Sequence, residues 1–140
     1  MVLVAMAGVS LPAAALDYLS LAEAAVMYDA PSQKAAPLFV IARYTPVEVV
    51  VALESWYKVR DAGGGIAWVE KRQLSPRRTV QVTAPRAQVR SQPDANAAQV
   101  FEAEKDVVLE LLEVAEAGWV KVKHRDGQSG YVRANQVWGL

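Results

Sequence analysis

The feature that most constrains this chain is a repeat. A shift of 63 residues carries Trp56 onto Trp119, Lys58 onto Lys121, Val59 onto Val122 and Gly64 onto Gly127 without a gap. The same shift carries Trp68 onto Tyr131, Val69 onto Val132, Gln73 onto Gln136 and Leu74 onto Val137, and, going backward, Val26 onto Val89. With one residue of slack, Pro31 meets Pro93 and Val47-Glu48-Val49-Val50 meets Leu109-Glu110-Leu111-Leu112. Register kept across so many kinds of element implies two copies of one supersecondary unit. In 140 residues, each copy has room for only a very small domain.

Each copy reads as short strands. Val47 to Leu53 and Val107 to Val114 are runs of β-branched residues and leucine that suit a core strand. Trp56 to Asp61 alternates, with Trp56, Lys58 and Arg60 on one face and Tyr57 and Val59 on the other. Gly63-Gly64-Gly65 and Asp126-Gly127 supply the positive-φ residues of a tight hairpin. Ile66 to Glu70 and Ser129 to Arg133 are the returning partners. Thr79 to Thr83 opens the second copy, with Ser75-Pro76 as the joint between them. Strands this short around glycine-rich hairpins predict an all-β chain of two tandem small barrels. The first is expected over residues 17–75 and the second over 76–140.

Residues 1–16 stand apart. They carry no charge, the first ionisable side chain being Asp17. The run is shorter than the roughly 20 residues a membrane-spanning helix needs. Ala13-Ala14-Ala15 has the small-residue pattern of a signal-peptidase site, so a cleaved signal peptide and an exported, periplasmic or envelope location are expected. Met1-Val2-Leu3, however, lacks the usual opening lysine or arginine; the alternative is an N-terminal helix buried against the domain. No stable membrane span is expected in the mature chain.

Charge and composition exclude several functions. Fifteen lysines and arginines balance fifteen aspartates and glutamates, so there is no global pull toward nucleic acid, and none is expected as a partner. No cysteine is present and there is one histidine, which removes disulfides, thiolate metal sites and multi-histidine zinc sites. No cofactor and no metal is expected. His124 and Asp126 point to one side of their strand, but no nucleophile pattern accompanies them and the first copy has Asp61 where His124 stands. No catalytic residue is expected, and the chain reads as a non-enzyme.

The residues that could meet a ligand are aromatic and basic. Trp56, Trp68, Trp119 and Tyr131 could form a shelf for a sugar ring or a peptide, or could pack the barrels and the interface between them. Tyr57 and Trp138 have no aromatic counterpart in the other copy. Lys58 and Arg60 correspond to Lys121 and Lys123, and period two puts each pair on one strand face. Such a row could meet carboxylates, or could be a solvated face that discourages edge aggregation.

Ala87-Gln-Val-Arg-Ser-Gln-Pro93, the Leu109–Leu112 strand, Gly118-Trp119-Val-Lys-Val and Gly130-Tyr131-Val132 together resemble the bacterial SH3 domain. The first copy is a degenerate version, with Val26-Met27-Tyr28-Asp29-Ala30-Pro31 at the opening and Ser55-Trp56 in place of Gly-Trp. The resemblance covers residues 20–138. It implies two SH3-like barrels acting as a binding module of the cell envelope, holding peptidoglycan or a peptide. The other function considered is a protein–protein adaptor that docks onto another envelope protein through a sheet edge or groove.

Overall fold

The structure, a computed structural model, describes residues 18–140. The predicted signal peptide and its cleavage near Ala15 lie outside these residues. The first half of the described chain forms seven strands: β1 (Tyr18–Leu21), β2 (Ala25–Tyr28), β3 (Pro37–Ile41), β4 (Pro46–Ala52), β5 (Trp56–Arg60), β6 (Ile66–Glu70) and β7 (Leu74–Ser75). The second half repeats them as β8 (Thr79–Val82), β9 (Arg86–Arg90), β10 (Gln99–Glu104), β11 (Val108–Val114), β12 (Trp119–Lys123), β13 (Ser129–Arg133) and β14 (Val137–Trp138). Each set is one sheet with the same order, β3-β2-β6-β5-β4-β1-β7 and β10-β9-β13-β12-β11-β8-β14. A single 3₁₀ turn precedes the last strand of each, at Lys71–Gln73 and at Ala134–Gln136.

Two separate cores match position for position. Leu21, Ala25, Met27, Ile41, Val47, Val59, Ala67 and Val69 fill the first. Val82, Ala87, Val89, Ala103, Leu109, Val122 and Val132 take the corresponding places in the second, joined by Val80, Val120 and Val137. Where the first core has Ala67, the second has Gly130. A Cβ there would lie 2.5 Å from the Arg90 carbonyl oxygen, so β13 and β9 cross too closely for any side chain.

The duplication is therefore real, but its register changes along the chain. Met27 pairs with Phe39 as Val89 pairs with Phe101, so Met27, and not Val26, is the partner of Val89. For Met27 the cause is one extra residue in the turn between β11 and β12, where Ala117 and Gly118 both take positive φ, of 56° and 81°. That turn has four residues between its strands against three in the first copy.

The hairpin glycines behave as the sequence requires. Gly64 (φ 88°) and Gly127 (φ 98°) occupy the left-handed region, which costs glycine little. The long strands differ from expectation at one end. Val50, Val51 and Leu53 are exposed, as are Leu112 and Val114, the last at 72%. A bulge between Val49 and Val51, and another between Leu111 and Glu113, shifts the pairing there. An extra unpaired residue re-aims the strand, and the far ends of β4 and β11 run beyond the core.

Candidate functional site

The alternation read from sequence places the aromatic candidates on the outer faces. Tyr57 is the exception; it turns inward and packs against the first core, with the Lys71 ammonium 4.7 Å from its ring centre. Backbone register lines up a row across the first sheet: Pro37, Tyr28, Trp68, Lys58 and Val51. The Trp56 and Tyr28 rings meet edge-on at 5.8 Å, and the Lys58 ammonium lies 5.9 Å from the Trp68 ring. Trp56, Trp68 and Tyr28 are all half-buried, each leaving part of its ring to solvent. Tyr28 completes this shelf, although sequence reasoning did not select it. Its signal was period two with Val26 along β2.

The equivalent row of the second sheet is charged. It runs Gln99, Arg90, Tyr131, Lys121 and Glu113, with the Lys121 ammonium 5.8 Å from the Tyr131 ring. Trp119 is only 5% exposed because Arg133 lies over its ring at 4.5 Å. In the first copy the residue at that position is Glu70, whose carboxylate accepts hydrogen bonds from Gln33 and Arg72. Those bonds, Gln33 first, hold the Glu70 carboxyl below the usual carboxylate range. Trp56 therefore stays open where Trp119 is covered. The surface able to stack on a ligand is concentrated in the first copy.

The basic candidates separate as well. Arg60 donates to the carboxylate of Glu48 at 2.6 Å. Glu48 is 6% exposed, and the Tyr18 hydroxyl donates to its other oxygen at 3.1 Å. Burial first, and then this bond, push the Tyr18 phenol above its ordinary value. Trp138 meets the Tyr18 ring edge-on at 5.3 Å, so it sits where the two copies touch. Lys123 is the one candidate that lines the cleft between the copies.

His124 has a structural task at its turn. Its Nδ1 accepts from the Asp126 amide at 3.1 Å, just as Asp61 accepts from the amides of Gly63 and Gly65. The Asp126 carboxylate is engaged by the Gln128 amide, which is the main cause of its lowered pKa. Among the described residues, no group of three His, Asp or Glu side chains is arranged to hold a metal ion, and no helix is long and apolar enough to cross a membrane.

Two small all-β units with one topology, separate cores and matching hairpins define a tandem of SH3-like barrels. The bacterial SH3 domain family matches residues 22–76 and again 83–139. The chain belongs to that family, in two copies. No curated protein matches it. Among solved structures it is similar to NlpC2 from Trichomonas vaginalis, at 14% identity and a TM-score of 0.40, over 89% of this chain and 48% of that one. NlpC1 from the same organism gives 15% and 0.42, over 89% and 46%. An NlpC/P60 family protein from Bacillus cereus gives 18% and 0.40, over 86% and 55%. The chain spans about half the length of these structures.

Proposed function

We propose that this chain is a non-catalytic module, exported to the periplasm or cell envelope, that binds cell-wall peptidoglycan or peptide ligands. The observation that carries the reading is the outward shelf of Tyr28, Trp56 and Trp68 with Lys58 beside it. Half-exposed rings offer rigid contact area to a sugar face or a peptide at little entropic cost, and a neighbouring ammonium can meet a carboxylate. Family membership supports a binding role in the envelope. The test is retention of residues 17–140 on purified peptidoglycan at low and moderate salt, with Trp68→Ala as the comparison. Retention that Trp68→Ala weakens severalfold is expected; no retention at either salt rejects the wall ligand.

A second reading, an adaptor for another envelope protein, is favoured by β3. This strand is the sheet's edge, and Leu38 and Val40 stand exposed on it, Val40 at 66%. An uncovered apolar edge can pair with an added strand. Val40→Lys should abolish that docking and leave peptidoglycan retention unchanged.

A further inference from the structure

Between the two barrels lies a cleft of about 700 Å³, walled by the turn before β4, the linker, the turn before β11 and the end of β12 with its hairpin. Its lining is strongly basic: Arg43, Arg77, Lys105, Lys123 and Arg125 against two carboxylates, Asp106 and Glu110. Both carboxylates are already engaged. Arg77 donates to Glu110 at 2.8 Å, and Asp106 accepts from Gln81 at 3.2 Å. Arg43 stacks on the Tyr44 ring at 4.6 Å and, like Lys105, Lys123 and Arg125, has no acidic partner among the described residues.

Comparison of the two copies shows how this excess arises. Glu48 faces Arg60 across β4 and β5, and they form an ion pair. Glu110 faces Lys123 across β11 and β12 in the same register, yet it turns to Arg77 of the linker instead. Joining the barrels thus releases Lys123 into the cleft. A second irregularity marks the same place. Tyr44 takes a left-handed φ of 70°, where a bulky side chain is strained; Asp106, at φ 73°, holds the corresponding position in the second copy. Tyr44 is fixed there by accepting from the Thr79 hydroxyl at 2.6 Å, with Arg77 5.2 Å from its ring.

We propose that the inter-barrel cleft is a carboxylate-binding site that takes an extended acidic peptide segment. The unmatched cations come from three separate segments of the chain, which suits several spaced carboxylates better than one compact anion. Tyr44, Val107 and Val108 supply apolar wall for the backbone between those carboxylates. The proposal rests on the reading of this chain as a binding module and assigns a site distinct from the aromatic shelf.

The test is a titration with N-acetylated triglutamate amide, followed by amide chemical shifts, with triglutamine as the uncharged comparison. Triglutamate should move the resonances of residues 43–45, 105–108 and 123–125, and added salt should weaken it. K123Q/R125Q should lower its affinity on the order of tenfold, while K34Q/R86Q, with the same charge change outside the cleft, should leave it unaltered. Equal binding of triglutamine, unmoved cleft resonances, or full affinity in K123Q/R125Q would each overturn the site. Peptidoglycan retention is scored separately. Triglutamate binding without retention keeps the cleft and removes the wall ligand; retention without triglutamate binding does the reverse.

Discussion

Replacing Trp119 by alanine should cost the second barrel far more than the matching change costs the first. An indole buries on the order of 200 Å², and at about 25 cal/mol/Å² its removal loses roughly 5 kcal/mol as an upper figure. Two features lower that value. Trp119 lies on the outer face of β12, outside the cluster of core side chains, and Arg133, which covers it, is itself exposed. Water can enter the vacated space, so the penalty for an empty cavity is largely absent. About 3 kcal/mol remains, part of it the Arg133 cation–π contact, itself about 0.5–1 kcal/mol. Trp56 is open on one side, and its loss should cost roughly half as much. Urea denaturation followed by circular dichroism reads both, as a fall in midpoint at unchanged slope. Because each barrel has its own core, the Trp119→Ala change should fall on one of two transitions, with a drop in Tm of more than roughly 10 °C. Equal losses in the two variants, or an unmoved Tm for Trp119→Ala, would refute the burial argument.

Gly139→Ala should destabilise by about 1–3 kcal/mol, since φ is +119° and the new Cβ would lie 2.9 Å from the Thr79 carbonyl oxygen; a melting curve identical to wild type contradicts this. Thr79→Val keeps the shape but removes the donor to the Tyr44 carbonyl. Thr79 is 3% exposed, so a loss of about 1–3 kcal/mol is expected from chemical denaturation, and a neutral result would mean that the bond does not hold the barrels together. Glu70 has a depressed pKa when folded, so its contribution to stability is present above the unfolded value near 4.3 and is lost as pH falls through the folded one. Gln33→Ala should raise the Glu70 pKa toward the ordinary range in an NMR titration and weaken the dependence of stability on acid pH; an unchanged titration would show that Gln33 does not set it.

The strands legible in the sequence were those with one wet face and one dry face. Trp56 to Arg60 and Ser129 to Arg133 alternate because the sheet buries only one side, and β5 and β13 occupy those spans. The edge strands carried a weaker signal. Pro37 to Val40 is exposed on both faces, so Leu38-Phe39-Val40-Ile41 is an apolar run without alternation, which strand and buried helix share. In β10 only the short stretch Phe101-Glu102-Ala103-Glu104 alternates, with Ala103 in the core and Phe101 packed against it. β1 was hidden for another reason: Tyr18 to Leu21 directly follows an apolar run that reads as a targeting segment. At the site, period two correctly sent Trp56 and Lys58 outward, but it could not show that Arg133 covers Trp119 while Glu70 leaves Trp56 open. The cleft was illegible because turns some sixty residues apart build it, and because the choice of Glu110 between Lys123 and Arg77 is made only in three dimensions.

The pairing of first and last strands has a mechanical consequence. Ser20 faces Ser75 and Leu21 faces Leu74, and in the second barrel Val82 faces Val137 and Gln81 faces Trp138. In an antiparallel pair the start of one strand and the end of the other leave from the same side. Tension along the chain therefore does not shear these ladders, where all bonds would share the load; it peels them, one bond at a time. A barrel anchored through its ends and pulled would yield first at a two-residue zipper, and its lifetime under load would be set by that opening rate and not by its equilibrium stability.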